Sequence, residues 1–463
     1  MYIKDTIAAI STAVGEGGIG IVRISGPEAI EIADKIFKSY QQPDKKLNKV
    51  DTYTAHYGHI IKPETEQVLD EVISLVMKAP KTYTKEDVVE INCHGGMVPL
   101  QKILELVLDV GARLADPGEF TKRAFLNGRI DLSQAEAIMD VINSQTEAGL
   151  EAAMDQLEGG LSDQINNISQ KILRLLANLE ASIDFPEDEI EDFNSEELEK
   201  RVIEILSEIE DLLATSKQGR IVKEGIQTAI IGKPNVGKSS LLNALLRENR
   251  AIVTEVPGTT RDVIEEVINI DGIPLKIIDT AGIREAENEV EKIGIEKSEK
   301  FLKRADLVLL VLDAHCGITD EDRKIIGLAE GKDTIIVVNK TDLEPKLAVE
   351  ELKEELDMEA VVETSATEGI GIKELEELIS DMVFGGQIKS TDQTLITNLR
   401  HKEAIEDAYE DMNRVKETVE QDLPADFVTI DLKSALEKLG KITGDTVDED
   451  IIDRIFADFC LGK

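Results

Sequence analysis

The residues best suited to chemistry lie in one short run, Gly232-Lys233-Pro234-Asn235-Val236-Gly237-Lys238-Ser239. It fits the spacing G-x-x-x-x-G-K-[ST]. In that pattern glycines let successive backbone amides wrap a phosphate, and the helix that follows adds its N-terminal dipole. Lys238 is placed to reach β and γ phosphates, and the Ser239 hydroxyl to ligate Mg2+. Average residue usage yields such a match in roughly one or two chains per hundred of this length. Here an apolar strand precedes the run and a helical stretch from Ser240 follows it, which narrows the odds further.

Three later motifs specify base and metal. Asp279-Thr280-Ala281-Gly282 closes an apolar strand, as a carboxylate steering Mg2+ should, and leaves the Gly282 amide for the γ-phosphate. Asn339-Lys340-Thr341-Asp342 also closes a strand. The Asp342 carboxylate can accept hydrogen bonds from guanine N1–H and its 2-amino group, whereas adenine would leave it unpaired. Ser365-Ala366-Thr367 resembles the last guanine-contact loop of this class. Four ordered motifs in one α/β segment predict GTP and GDP binding. Where many small GTPases place a water-orienting glutamine, this chain has Ile283-Arg284-Glu285. The motif therefore offers no side chain for the water, and another charge must stabilise the transition state.

These motifs need a sheet to hold them, and the surrounding pattern supplies one. From about 219 to 384, near-continuous apolar strands (Thr228 to Ile231, Leu275 to Ile278, Leu307 to Leu312, Thr334 to Val338) alternate with helical stretches. That pattern predicts a parallel sheet covered on both faces. Residues 1–118 read as a mixed α/β domain, with Ile19 to Ile24 alternating like a half-buried strand and a helix presenting Ile30, Ala33, Ile36 and Phe37 on one face. Further strands are expected at Val72 to Met77 and Val88 to Asn92, and a helix from Leu100 to Gly111. Residues 119–218 turn helical, with Leu198, Val202, Ile205, Ile209 and Leu212 three and four apart, and residues 385–463 return to that texture. A helical region split by an α/β unit predicts an inserted domain.

Composition bounds the rest. At 463 residues the length suggests roughly three domains. Three separated cysteines, Cys93, Cys316 and Cys460, argue against a disulfide framework and for a reducing cytoplasm. No apolar run approaches the roughly 20 residues of a membrane span, and the N-terminus lacks a signal core. The net charge of −41 disfavours broad adhesion to nucleic acid. RNA contact would require a local basic patch or a partner. His94, beside Cys93, suggests a metal pair, yet neighbours on a strand point apart, and no zinc is expected.

The phosphate loop, Gly258-Thr259-Thr260-Arg261-Asp262, Ile283 and the terminal Phe459-Cys460-Leu461-Gly462-Lys463 together resemble the MnmE (TrmE) family. The likeness extends beyond the GTPase segment to Gly18 through Gly26, Gly118-Glu119-Phe120, Arg123 through Asn127, Asp131 through Ala137 and Ile183-Asp184-Phe185-Pro186. It implies an N-terminal folate-binding and dimerising domain (1–118), a helical domain in two parts (119–218 and 385–463) and an inserted Ras-like G domain (219–384). It also implies a K+-stimulated GTPase acting as a homodimer. With the flavin- and NADH-using partner MnmG, such an enzyme builds a carboxymethylaminomethyl or aminomethyl group at C5 of the tRNA wobble uridine.

By the same resemblance, Asn235 would hold K+, helped by Thr254-Glu255-Val256-Pro257-Gly258-Thr259, with Thr254, Val256 and Thr259 as further ligands. Thr260 would join Ser239 on Mg2+. Glu291, which alone reads as a solvated carboxylate, would orient the attacking water. Arg23, Glu90, Arg129 and Lys463 would approach a 5-formyl- or methylene-tetrahydrofolate, whose glutamate tail suits Arg and Lys and whose pterin edge suits a carboxylate. Cys460, as a residue, reads as a packing side chain or a nucleophile, and the family position keeps the second role open. A different functional class, a ribosome-assembly GTPase without modification chemistry, would need neither the first 118 residues nor the Cys460-to-Lys463 tail as a folate site.

Overall fold

The computed structural model describes residues 5–13, 15–42, 44–184, 195–249, 266–278, 302–344, 346, 352–353, 360–384, 393–421 and 423–463. Contacts group them into two compact units. The first holds the described residues up to Met139 together with Leu436–Lys463, and the second those from Asp140 to Ala435.

In chain order the first unit begins with β1 (Ile7–Ile10), β2 (Ile19–Ser25), α1 (Ala29–Ile36), β3 (Phe37–Ser39), β4 (Thr54–Ile61), β5 (Val68–Met77), β6 (Val88–His94), α2 (Met97–Asp109), β7 (Arg113–Leu114) and α3 (Glu119–Leu126). The strands form one sheet of order β3-β4-β5-β6-β2-β1-β7. All neighbours are antiparallel except β1 and β7. β2 alternates buried and partly exposed residues, as its period of two requires. Ile30, Ala33 and Ile36 of α1 and Leu100, Ile103 and Val107 of α2 pack on Val22, Ile24 and Ile91. Each fully buried aliphatic there contributes about 1.5–3 kcal/mol.

Phe37 departs from the helical expectation. Its backbone is extended (φ −96°, ψ 134°) and it opens β3, opposite Ile60 of β4. It stays buried, so the apolar signal was real. Long-range strand pairing overrode the helical period at that one residue. Cys93 and His94 do face opposite sides of β6, one buried and one exposed.

Next come α4 (Leu132–Asn143), α5 (Glu147–Glu158), α6 (Gly160–Asp184), α7 (Ser195–Ala214) and α8 (Ser216–Glu224). The Thr146 hydroxyl caps α5 by accepting from the Gly149 amide at 3.1 Å, and left-handed Gly159 ends the helix. The α/β part of the second unit holds β8 (Ile226–Ile231), α9 (Lys238–Asn249), β9 (Glu266–Ile270), β10 (Ile273–Ile277), β11 (Leu307–Asp313), α10 (Asp320–Ala329), β12 (Asp333–Asn339), β13 (Val361–Thr364) and α11 (Ile372–Phe384). Its sheet order is β13-β12-β11-β8-β10-β9, parallel save for edge strand β9. β11 is buried along its whole length because apolar clusters cover both faces.

The chain closes with α12 (Leu399–Glu420), α13 (Ala425–Thr443) and α14 (Glu449–Ala457). α12 packs along α7. The Thr215 hydroxyl accepts from the Ile396 amide at 3.2 Å, and the Thr397 hydroxyl donates to Gln156 Oε1 at 3.2 Å. Helices on either side of the α/β sheet in sequence therefore pack together, with the α/β sheet inserted between them in the chain. Within the first unit, α14 packs on α3, and the tail returns to the start of that helix. There the Gly118 amide donates to the Cys460 carbonyl at 3.4 Å and the Phe120 amide to that of Lys463 at 3.2 Å.

Candidate functional site

The parallel strands of the second unit end together, and their C-terminal loops carry the phosphate and base motifs, where open α/β sheets place ligands. β8 delivers Gly232–Gly237 into α9, which opens at Lys238 and Ser239. Gly237 has a positive φ of 101°, and a Cβ there would stand 2.2 Å from Asn339 Nδ2, so only glycine fits. Asn235 is also left-handed, at φ 64°. Lys238 donates to the carbonyls of Gly232 at 2.9 Å and Lys233 at 2.6 Å. Burial pushes its ammonium below the usual lysine range, a cost that a bound anion would remove.

The base motif is tied to this loop. Asn339 is 2% exposed, and its Nδ2 donates to the Val236 carbonyl at 2.9 Å. Its Oδ1 accepts from the Ala366 amide at 3.1 Å and the Thr364 hydroxyl at 3.2 Å. Lys340 Nζ reaches the Asn235 carbonyl at 2.5 Å and Asp313 Oδ2 at 2.7 Å. Burial alone would raise the Asp313 carboxyl, but Lys340 and the His315 amide hold it below the ordinary carboxylate value. Thr341 donates its amide to the Thr364 carbonyl at 3.2 Å. Ser365 Oγ donates to Asp342 Oδ1 at 2.7 Å and lies 3.3 Å from Thr367 Oγ1. Lys238, Asn339 and Asp342 are thus each fixed by neighbours at the C-terminal end of this sheet.

Of the remaining expected nucleotide and metal residues, Ser239 and Ser240 lie in the first turn of α9. Thr254, Glu255, Val256, Pro257, Gly258, Thr259, Thr260, Asp279, Thr280, Ala281, Gly282 and Glu291 lie outside the described residues.

A second constellation forms in the first unit. Arg23 on β2 faces Glu90 on β6, with Nε and Nη2 both 2.9 Å from Glu90 Oε1. Arg23 Nη1 donates to the Gly462 carbonyl at 3.3 Å, and Ser11 Oγ donates to the same oxygen at 3.0 Å. The Arg23 guanidinium lies 5.6 Å from the ring centroids of both Tyr83 and Phe120, and Arg129 lies 4.6 Å from that of Tyr83. Cationic and aromatic groups in contact like this are mutually stabilising. Gly462 has φ 87°, and a Cβ there would meet the Ile10 carbonyl at 2.2 Å, which pins the tail against β1. Cys460 is exposed, whereas Cys93 is buried with its thiol pushed up to about 11 by burial. Arg23, Glu90, Arg129 and the tail bearing Lys463 are therefore neighbours. Tyr83, which joins the two arginines, carries no motif of its own in the sequence, and only the fold reveals it.

Two arginine cations, the Tyr83 ring and the Glu90 carboxylate therefore converge at this second site. Among the described residues no group of His, Cys, Asp and Glu is clustered to hold a metal ion. No described helix is long and apolar enough to cross a membrane.

Comparison with known proteins gives two family matches. A model described as MnmE helical domain matches residues 132–460, and one described as GTP-binding protein TrmE N-terminus matches residues 6–129. The tRNA modification GTPase MnmE of Alkaliphilus oremlandii is 55% identical over 463 residues, with 100% of each chain covered. That of Thermoanaerobacter pseudethanolicus is 55% identical over 461 residues, again with 100% of each covered. Among solved structures, the G domain of the T. maritima FeoB iron transporter matches at 29% identity with a TM-score of 0.26, covering 34% of this chain and 98% of that one.

Proposed function

The chain belongs to the MnmE family of tRNA modification GTPases, and from that premise we propose a specific chemistry for it. With MnmG, it adds a carboxymethylaminomethyl or aminomethyl group at C5 of the wobble uridine, position 34, of tRNA in the cytoplasm, taking its carbon from a tetrahydrofolate. The observation that carries this reading is the tail contact. The Gly462 carbonyl accepts from both Arg23 and Ser11, so the backbone between Cys460 and Lys463 touches the Arg23–Glu90 pair.

The roles follow residue by residue. Amides of the 232–239 loop and Lys238 bind phosphates, and Ser239 and Thr260 hold Mg2+, with Asp279 steering it. Asn235, Thr254, Val256 and Thr259 would hold K+, and its charge would supply the electrostatic stabilisation that an arginine finger supplies elsewhere. Glu291 orients the attacking water. Asn339 and Asp342 read guanine, closed over by Ser365-Ala366-Thr367. Arg23, Glu90, Arg129 and Lys463 would hold the folate, and Cys460, exposed in the same tail, would be a candidate nucleophile. The division 1–118, 119–218, 219–384 and 385–463 assigns folate binding and dimerisation to the first segment and GTP hydrolysis to the third. At a charge of −41 the chain leaves most of the grip on tRNA to MnmG.

Titration with 5-formyl-tetrahydrofolate tests the carbon-carrier role. Binding that Arg23→Ala abolishes supports it. No detectable affinity in the wild type would leave a GTPase of the ribosome-assembly kind.

A further inference from the structure

Lys233 is the first variable residue of the phosphate loop. Its side chain is only 14% exposed, and its ammonium meets Asp322 Oδ2 at 2.7 Å and the Thr319 hydroxyl at 2.9 Å. Asp322 sits in the first turn of α10 and closes a capping box with Thr319, whose amide and hydroxyl both donate to Asp322 Oδ2 at 2.8 Å. The Asp322 side chain is 2% exposed, and its Oδ1 has no hydrogen-bond partner among the described residues. A carboxylate buried in this way depends on its cation, and Lys233 is that cation.

The backbone of the same residue does something different. The Lys233 carbonyl accepts from Lys238 Nζ at 2.6 Å, beside the Gly232 carbonyl at 2.9 Å. One residue is therefore anchored through its side chain to α10 and through its main chain to the phosphate-binding lysine. A lysine ammonium rides on a flexible four-carbon stem, and two fixed carbonyls select one of its arrangements. Fixing it before the nucleotide arrives removes an ordering cost from binding.

We propose that Lys233, held by Asp322 and Thr319, is a positioning residue that presents Lys238 to the nucleotide phosphates. This rests on the reading of Gly232 to Ser239 as the nucleotide site. It adds a route by which the start of α10 controls nucleotide affinity.

The test is a fluorescent GDP titration of the full chain, run beside thermal unfolding. It compares wild type with Lys233→Met, Lys233→Arg, Asp322→Asn and the double variant Lys233→Met/Asp322→Asn. Lys233→Met and Asp322→Asn should each raise Kd about tenfold, and the double variant should be no worse than the weaker-binding single. Lys233→Arg should stay within about threefold, and KM for GTP should rise with Kd while kcat falls less. A Kd within about twofold of wild type for folded Lys233→Met, or effects that simply add in the double variant, overturns the proposal. If Lys233→Met does not fold, an unchanged Kd in Asp322→Asn overturns it equally. Full binding by Lys238→Ala would instead sink the reading of the loop itself.

Discussion

Asn339 Nδ2 donates to the Val236 carbonyl at 2.9 Å, joining two loops that lie 103 residues apart in sequence. Because Asn339 Oδ1 also takes the Ala366 amide at 3.1 Å, one buried side chain sets the spacing between phosphate loop, base motif and closing loop. Asn339→Ala leaves those partners unpaired, at about 1–3 kcal/mol for each buried group. GDP affinity is expected to fall about 10- to 100-fold by fluorescence titration, with near wild-type unfolding of the first unit. Unchanged affinity would remove the link from the account.

Gly237→Ala should be more severe than a usual loop change. The new Cβ must adopt φ 101° and displace Asn339 Nδ2 from 2.2 Å. Nucleotide binding is expected to drop below detection by calorimetry in a chain that still folds, and measurable micromolar binding would argue against the close approach.

Asp342 is held by Ser365 Oγ at 2.7 Å. Asp342→Asn should lower the preference for GDP over xanthosine diphosphate by about a hundredfold or more, since the carboxylate that pairs with guanine becomes a mismatched amide. Ser365→Ala, which removes only the positioning bond, should cost about tenfold. Competition binding with the two nucleotides decides the matter, and an unaltered preference in Asp342→Asn would refute the base-reading role.

The first unit carries an acid-sensitive ion network. Arg123 pairs with Asp5 at 2.6 Å, Glu119 at 2.9 Å and Glu86 at 3.2 Å, and Arg113 pairs with Glu119 at 2.6 Å. For Glu119 and Asp5, burial alone would raise the carboxyl, yet the arginine contacts hold both below their ordinary values of 4.5 and 3.8. A depressed folded value means the stabilisation is complete above the ordinary value and is lost as pH falls through the folded one. The gap in Tm between wild type and Glu119→Gln should therefore be full near neutrality and shrink below about pH 4. A gap that stays constant to acid pH would contradict this assignment.

The phosphate loop was legible because its chemistry is local. A glycine-rich turn between an apolar strand and a helix needs only consecutive residues, and β8 and α9 formed where that pattern required. The helical split was legible from texture, and α12 lying against α7 is its consequence. Contacts set by strand register were not legible. Arg23 opposes Glu90 only because β2 pairs with β6, and no spacing announces the contact of Tyr83 with two arginines or of Asp322 with Lys233. Phe37 shows the same limit at one residue, where pairing with β4 outweighed a helical period.

The central claim is that nucleotide hydrolysis at this loop serves tRNA modification, and nucleoside mass spectrometry of tRNA tests it most directly. Cells lacking the gene would be compared with the same cells carrying the wild type or Lys238→Ala. Selective loss of 5-substituted wobble uridines, restored by the wild type and not by Lys238→Ala, is the predicted result. Unchanged nucleosides on deletion, or full restoration by Lys238→Ala, would contradict it.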